Sequence, residues 1–280
     1  MELYLKSFHT VTEHPMEMDH RLHTHNDHEI FCFLAGEADY FVEGNRYRLR
    51  RGDLMLMRKG EAHHLIPRSD ARYERMVVNF DDGALTELDP EGTLVQTFRN
   101  RPLGKYNHYT AALFPDNRWM FYMEKICAQE ESHRKLCYLL PLLSDLAEAY
   151  RIVRKVEPQE EPDRISAIIR YINAHLAEPL SLESLSQRFY LSKTHLNRLF
   201  RQGVGTTVWS YIVTKRLFLA RELLSGGETP SRVYLRCGFQ DYTAFYRAYK
   251  NHFGVSPRGG AIRDGGVSAE TGYDERDNFY

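Results

Sequence analysis

The sequence predicts a multidomain α+β protein with a β-rich N-terminal domain and an all-α C-terminal domain. Short extended runs separated by glycine turns dominate the first 85 residues. Apolar residues at helical spacing follow from residue 118 onward. Near the C-terminus, a pattern of apolar and basic residues recurs after 49 positions, which indicates a duplicated helical unit.

The composition is that of a soluble protein. The 280 residues are enough for two domains, and 42% are hydrophobic and 27% charged. No apolar run approaches the roughly 20 residues that a membrane span needs. The first residues, MELYLKSFHTVTEHPM, lack the basic region and apolar core of a signal peptide, and the four cysteines form no CxxC pair. We therefore expect a cytoplasmic protein with reduced thiols.

The net charge of -1 conceals an uneven distribution. Residues 163–258 contain 14 Lys and Arg against 6 Asp and Glu, whereas the rest of the chain contains 23 basic and 32 acidic residues. A basic segment next to an acidic one indicates that only the C-terminal part meets a polyanion.

The N-terminal domain, residues 1–85, is predicted to be a small barrel or sandwich. In DYFVEGNRYRLRRGDLMLM, a hairpin-type turn at Gly44-Asn45 joins two extended runs, and a second turn follows at Gly52-Asp53. YERMVVNF, from Tyr73 to Phe80, predicts a further strand.

Residues 86–157 are predicted to form a mainly helical connector. A loop-rich segment leads to helices near Arg118–Ser132 and Leu136–Val153. The second helix has an apolar stripe that is either a dimer face or a surface packed on the barrel. Its residues are Leu139, Leu140, Leu143, Leu146, Ala147 and Tyr150. A charged linker is predicted at 158–162, and the Gly-rich segment 259–280 is predicted to be disordered.

The first C-terminal unit, about residues 182–203, is a predicted helix-turn-helix. LSLESLSQRF gives a short helix capped by Ser181, and LSKTHLNRLF gives a second helix capped by Ser192. The residues predicted to be buried in the second helix are Leu196, Leu199 and Phe200. Its opposite face is polar and basic, with Thr194, Asn197, Arg198 and Arg201.

The second unit, about residues 229–252, repeats this pattern. Phe245 and Tyr249 take the buried positions, and Thr243, Arg247 and Lys250 take the polar ones. Thr229 and Pro230 begin its first helix, and Gly238 supplies the turn. A longer helix joins the units; its residues available for packing include Trp209, Ile212, Val213, Leu217, Ala220 and Leu224, and Gly226-Gly227 ends it.

Two helix-turn-helix units with basic outer faces suit double-stranded DNA, because an α-helix enters the major groove and adjacent groove faces lie about 34 Å apart. The alternative is a solvated helical bundle whose basic surface arises by chance. Agreement of register, turns and charge across both units favours DNA.

Residues from about 164 to 258 resemble the DNA-binding domain of the AraC/XylS family of bacterial transcription regulators. The motifs are LSLESLSQRFYLSKTHLNRLFRQGVG, RLFLARELL and LRCGFQDYTAFYRAYKNHFGVSPR. The sequence departs from the family at Tyr234, where an Ala is usual, and after Pro257, where the usual Tyr-Arg is absent. The resemblance implies DNA contacts from Lys193, Thr194, Asn197, Arg198, Arg201, Asp241, Tyr242, Thr243, Arg247 and Lys250.

The N-terminal stretch HRLHTHNDHEIFCFLAG resembles the first motif of the cupin barrels, and GDLMLMRKGEAHH resembles the second, with Arg58 where a Pro is usual. The resemblance implies a jelly-roll-type barrel with a divalent metal on His23, His25, Glu29 and His63. Imidazole and carboxylate groups suit Zn, Fe, Mn, Ni or Cu. In the alternative, no metal is required and these residues, with Phe31 and Phe33, bind a small molecule directly. His20, His28 and His64 are expected at the surface or behind these groups.

The combined expectation is a transcription regulator whose operator affinity depends on a small molecule, such as a sugar or related metabolite, in the barrel. Its expected partners are operator DNA, the effector and a second copy of the chain, with RNA polymerase as a further candidate. A metal-responsive regulator is the first alternative. A metal-dependent cupin enzyme fused to a DNA reader is the second, and we expect no catalysis because a fold alone implies no reaction.

Overall fold

The β-rich region forms two antiparallel sheets. The computed structural model describes residues 4–17, 22–85, 87–114, 116–156 and 164–259. The strands in these residues are β1 (Leu5–Thr12), β2 (His28–Ala35), β3 (Ala38–Val42), β4 (Asn45–Arg48), β5 (Leu54–Met57), β6 (His63–Pro67), β7 (Tyr73–Phe80) and β8 (His108–Tyr109). The larger sheet has the order β1-β7-β2-β5-β8 and the smaller sheet the order β4-β3-β6. This double-sheet arrangement confirms the predicted β-rich domain.

Nine α-helices lie in the described part of the chain. They are α1 (Gln96–Arg99), α2 (Arg118–Ala128), α3 (Ser132–Val156), α4 (Arg164–Ala174), α5 (Leu182–Arg188), α6 (Lys193–Val204), α7 (Val208–Ser225), α8 (Pro230–Arg236) and α9 (Tyr242–Phe253). None of them is long and apolar enough to cross a membrane. The chain divides into two units, one of Met1–Ala167 with Leu199–Thr206 and one of Ile168–Arg198 with Thr207–Tyr280.

Alternation along the strands gives the larger sheet two different faces. The outer face packs against α2 and α3 in one apolar core that includes Trp119. The strand residues in this core are Leu5, Ile30, Cys32, Leu54, Leu56, Met76, Val78, Phe80 and Tyr109. The inner face meets the smaller sheet in a second core, which contains Phe31, Phe33, Ala38, Tyr40, Val42, Leu49, Met55, Met57, Leu65, Tyr73 and Val77. The larger sheet is therefore covered on both sides.

The connector packs on the sheet of its own chain. The apolar stripe of α3 lies in the outer core, with Leu139, Leu143 and Leu146 almost fully buried. Of the two interpretations of this stripe, packing on the β-rich domain of the same chain is the one observed. The sheet also extends beyond the predicted boundary at residue 85, because β8 pairs with the edge of β5. The predicted linker lies outside the described residues, as does the predicted tail after Gly259.

One predicted turn is displaced by a residue. The β3–β4 turn is formed by Glu43 and Gly44, at φ 47° and 80°, and Asn45 already belongs to β4. Positive φ at both central positions is the geometry of a tight two-residue hairpin. Glu43 occupies this left-handed position while its carboxylate Oε1 accepts a hydrogen bond from Ala62 N at 2.7 Å.

Local capping explains the helices of the C-terminal units. The Ser181 hydroxyl accepts a hydrogen bond from Ser184 N at the start of α5, and Ser192 does the same for His195 N in α6. Gly238 turns the chain between α8 and α9 at φ +82°, where a Cβ atom would lie 2.4 Å from Leu176 O. These features agree with the predicted helix-turn-helix units.

Three details differ from the predicted packing. Trp209 is 56% exposed, whereas Ile212 on the next turn of α7 is buried. Leu199 is only half-buried. Tyr234, the departure in the second unit, packs edge-on against Tyr242 at a centroid distance of 5.5 Å. The core of this unit otherwise contains apolar residues of α7, α8 and α9.

Candidate functional site

A polar cluster interrupts the apolar inner face of the larger sheet. Its centre is Glu29 on β2, which is 7% exposed. The carboxylate Oε2 lies 3.0 Å from His25 Nε2 and accepts a hydrogen bond from Asn79 Nδ2 at 3.1 Å. Oε1 accepts a hydrogen bond from the Tyr40 hydroxyl at 3.3 Å and lies 3.9 Å from His63 Nε2. We call His25, Glu29, Tyr40, His63 and Asn79 the Glu29 cluster.

Both histidines of the Glu29 cluster are oriented by backbone carbonyls. His25 Nδ1 lies 3.0 Å from Asp27 O, and His63 Nδ1 lies 2.8 Å from Glu61 O. A carbonyl oxygen only accepts, so each Nδ1 carries the proton. Each Nε2 atom is then directed toward the Glu29 carboxylate. His63 Nε2 is buried and has no hydrogen-bond partner among the described residues.

The environment sets different charges on these groups. Burial, with the neighbouring His23, lowers the pKa of His63 to about 3, so this imidazole is neutral. Burial alone would raise the pKa of Glu29, but the hydrogen bond and charge of His25 hold it well below its usual range. Burial likewise opposes protonation of His25, but Glu29 raises the pKa of His25. The cluster therefore presents an ion pair beside a neutral imidazole with a free lone pair.

The structure brings three of the four expected metal ligands together. One ligand atom each from His25, Glu29 and His63 lies within 4.8 Å of the others. His23 is not in this group, although its backbone bridges to His63 and the two rings are 4.3 Å apart. This arrangement offers two imidazole nitrogens and a carboxylate, a donor set that suits a divalent transition metal.

The other residues expected at this site are placed differently. Phe31 and Phe33 are 1% exposed and belong to the inner core, beside Tyr40 and Tyr73. His28, expected either at the surface or behind the ligand groups, is 2% exposed and packs between the rings of Phe80 and Phe98 on the outer face.

His64 is equally buried and stacks on Phe41 at 4.7 Å, since alternation turns it away from the side of β6 that carries His63. His64 is therefore not at the surface, which was one of its two expected positions. His20 lies outside the described residues.

Sequence reasoning missed Tyr40 and Asn79. Asn79 is directly opposite Glu29 in the β2–β7 register, and Tyr40 reaches Glu29 from the smaller sheet. Asn79 could have been found by aligning β7 against β2, because paired residues share a face. The contact of Tyr40 with Glu29 depends on how the two sheets stack.

The predicted DNA-contact face of the first unit is largely exposed. Lys193, Thr194, Arg198 and Arg201 are exposed on α6, and Lys193 forms an ion pair with Glu183. Asn197 is half-buried, and its side-chain oxygen accepts a hydrogen bond from Val208 N at 3.3 Å. Asn197 therefore has a role within the protein that the sequence did not indicate.

The second unit presents a similar face. Asp241, Thr243, Arg247 and Lys250 are exposed, while Tyr242 is half-buried. The carboxylate of Asp241 caps α9 by accepting a hydrogen bond from Ala244 N at 2.7 Å. The same register in α6 and α9 puts one exposed arginine at the middle of each second helix.

Comparison with known proteins covers both parts of the chain. Residues 7–113 match the family model of the AraC-like ligand binding domain, and residues 185–259 match that of a helix-turn-helix domain. The chain is 25% identical over 256 residues to the transcriptional activator RhaS of Escherichia fergusonii, which covers 87% of each chain. It is 34% identical over 94 residues to the multiple antibiotic resistance protein MarA of Escherichia coli, covering 33% of this chain and 74% of MarA.

Among solved structures, ToxT from Vibrio cholerae aligns over 91% of this chain and 97% of its own, with 13% identity and a TM-score of 0.41. The two family models and the match to most of MarA identify both domains, and the helix-turn-helix units observed in the structure agree with them. The chain belongs to the AraC/XylS family of bacterial transcription regulators.

Proposed function

We propose that the small molecule controlling this DNA-binding regulator binds at the Glu29 cluster. The observation that carries the proposal is a buried carboxylate surrounded by three hydrogen-bonding side chains, beside the free lone pair of His63. Hydroxyl groups of a sugar or a related metabolite donate and accept at once. They can therefore donate to the carboxylate and to His63 Nε2 while they accept from neighbouring groups.

The double variant His25→Ala/Glu29→Ala tests this proposal. A thermal-shift screen of sugars on the full chain first identifies a ligand, and DNA selected from a random library supplies the operator. We expect the double variant to bind this DNA as the wild type does and to lose the response to the ligand. His14→Ala, an exposed histidine paired with Asp70, is the matched control. A normal response in the double variant would contradict the proposal, and loss of DNA binding as well would indicate a destabilised domain.

A metal-responsive regulator is the second candidate. The specific observation in its favour is that two Nε2 atoms are directed at one carboxylate while carbonyls hold both Nδ1 protons. Metal-bound histidines are commonly oriented in this way. Mass spectrometry of tag-free protein, purified without a nickel column, measures the metal content. Near-stoichiometric metal that disappears in His63→Ala supports this candidate. If the wild type contains no metal, direct binding of the small molecule to the Glu29 cluster is the remaining proposal.

For the DNA-binding units, we propose that Arg198 and Arg247 read base edges in adjacent major grooves. Both are exposed at equivalent positions of α6 and α9, and arginine pairs bidentately with guanine. Alanine at either position should weaken binding to the selected site by about 1–3 kcal/mol and affect random DNA much less. Arg151→Ala, an exposed position on α3, is the control. Equal losses on both DNAs would show that the arginines contact phosphates only.

The proposal also includes a cytoplasmic homodimer that acts with RNA polymerase and catalyses no reaction. It is supported by the family relationship and by the absence of a membrane-spanning helix in the described residues. Light scattering of the full chain, with and without the selected DNA, measures the number of copies. A monomer in both samples would contradict the dimer.

A further inference from the structure

The inner face of the larger sheet carries one guanidinium that the Glu29 cluster does not use. Arg75 lies on β7, directly opposite Phe33 of β2, and four residues before Asn79. Because paired residues share a face and alternate residues point the same way, Arg75 projects to the inner side with Phe33 and Val77. It is half-buried, and its Nε atom has no contact with solvent.

This arginine has no acidic partner. Arg75 Nε has no hydrogen-bond partner among the described residues, and no carboxylate there forms an ion pair with the guanidinium. The guanidinium carbon lies 5.8 Å from the ring centroid of Tyr73. Most arginines that are withdrawn from solvent are paired, because an uncompensated charge loses hydration without replacement. A half-buried guanidinium on the inner face without a carboxylate partner can therefore accept an anionic group from outside the protein.

Tyr73 adds a second hydrogen-bond donor beside Arg75. Its hydroxyl oxygen is buried and has no acceptor among the described residues. Burial raises the pKa of Tyr73 to about 12, with Arg75 acting in the opposite direction, so the hydroxyl keeps its proton at neutral pH. A planar guanidinium and a phenol that both donate make a site for a group that only accepts, and a carboxylate is such a group.

The surface beside Arg75 is open at the edge of the sheet. The β1–β7 register places Thr10 opposite Arg75 and Phe8 opposite Val77. Both β1 residues therefore share the inner face, yet Phe8 is 53% exposed. The inner face at β1 is thus accessible and combines an apolar ring with the guanidinium. A ligand bound here could place an apolar side against Phe8.

We propose that Arg75 and Tyr73 bind a carboxylate of the effector, so that the effector is a small hydroxylated acid and not a neutral sugar. This inference rests on the proposed function of the Glu29 cluster. Arg75 and Asn79 are four residues apart on one strand, which corresponds to about 13 Å. The charge of Arg75 also opposes the rise in the pKa of Tyr40 that burial causes, so the two sites share one interior.

Acids and their neutral counterparts test the inference on the full chain. Titration calorimetry compares galacturonate with galactose and gluconate with glucose, at equal concentration and constant ionic strength. We expect at least one acid to bind wild-type protein tenfold or more tightly than its neutral counterpart. Arg75→Gln should remove this preference. Arg72→Gln, three residues away and 55% exposed, should retain it.

Several outcomes would overturn the inference. It fails if neither acid binds the wild type better than its neutral counterpart, a result that needs no variant. It also fails if Arg75→Gln retains the acid with unchanged affinity. If Arg75→Gln does not fold, Arg75→Lys replaces it. Lysine keeps the positive charge but lacks the two parallel N–H donors of a guanidinium. An unchanged affinity of Arg75→Lys for the acid would therefore also refute bidentate binding.

Glu29→Gln separates this inference from the proposed function. Neutral sugars that bind through Glu29 and ignore Arg75 would refute the acid site and leave the proposed function intact. An acid whose affinity falls in Arg75→Gln but not in Glu29→Gln would support the acid site and refute the proposed function of the Glu29 cluster.

Discussion

Glu29 and Glu61 are both buried carboxylates of the N-terminal unit, but their surroundings differ. Glu61 is completely buried and accepts hydrogen bonds from five donor groups. Two are the guanidinium nitrogens of Arg101, at 2.8 and 2.6 Å, and a third is Asn107 Nδ2 at 3.0 Å. The backbone nitrogens of Gly104 and Arg58 complete the set. None of these donors changes its charge near neutral pH.

Glu29 has fewer hydrogen-bond donors around it, and its histidine neighbours can change protonation or bind a ligand. Its strongest partner is His25, which can lose a proton, and the nearby His63 Nε2 has no described partner. The contrast shows how to tell two kinds of buried polar group apart. A carboxylate saturated by backbone and arginine donors holds loops together, whereas one surrounded by histidines with unused capacity is available to a ligand.

The largest expected effect is on the Glu61 side of this comparison. Arg101→Met leaves the Glu61 carboxylate buried without its main partner, which should lower the free energy of unfolding by about 3–5 kcal/mol. Denaturant unfolding of the full chain measures it. Arg46→Met removes an arginine whose side chain is 59% exposed and pairs with Asp39, so its effect should stay below about 1 kcal/mol. Similar decreases in the free energy of unfolding for Arg101→Met and Arg46→Met would contradict a special role of Glu61 in stability.

The second effect is a pH dependence assigned to Glu61. Arg101 and the surrounding donors outweigh burial and lower the pKa of Glu61 to about 2, from 4.5 in an unfolded chain. The stabilisation is therefore present above pH 4.5 and is lost as the pH falls toward 2. The difference corresponds to about 3 kcal/mol. Unfolding measured from pH 5 to pH 3 should show this decline in the wild type and a weaker one in Glu61→Gln. Parallel curves would contradict the assignment.

The smallest effect on stability is expected at the Glu29 cluster. Tyr40→Phe removes one hydrogen bond to Glu29 and should lower the free energy of unfolding by about 1 kcal/mol. We expect a clear loss of effector affinity from the same change. Tyr47→Phe, which removes the hydrogen bond from its hydroxyl to Gly104 O, is the control for stability. If both variants bind the effector equally well, Tyr40 is not part of the ligand site.

Local patterns made much of the fold predictable. The strand Tyr73–Phe80 was predicted to its observed ends, and the caps at Ser181 and Ser192 placed the helices of the first unit correctly. Such features depend on neighbours within a few residues, which a sequence displays directly. The two residues of β8 form a strand only because the edge of β5 is there to pair with them. No local pattern could have indicated that.

The candidate site was predictable only in part, for the same reason. The spacing of the histidines and Glu29 marked them as candidates, and the structure brings His25, Glu29 and His63 together. Whether a histidine nitrogen is already hydrogen-bonded depends on the backbone carbonyls near it in space. Asp27 O and Glu61 O, for example, bind the Nδ1 atoms of His25 and His63. That Arg75 lacks an acidic partner is likewise a property of the assembled sheets.

The positions of the two tryptophans have a spectroscopic consequence. The chain contains two, and the structure gives them opposite environments: Trp119 is 1% exposed within the outer core, and Trp209 is 56% exposed on α7. The first should emit at short wavelength and resist a soluble quencher, whereas the second should emit at long wavelength and be quenched readily. Each unit thus carries its own intrinsic fluorophore, so that the ligand-binding unit and the DNA-binding unit can be followed separately in a single unlabelled sample.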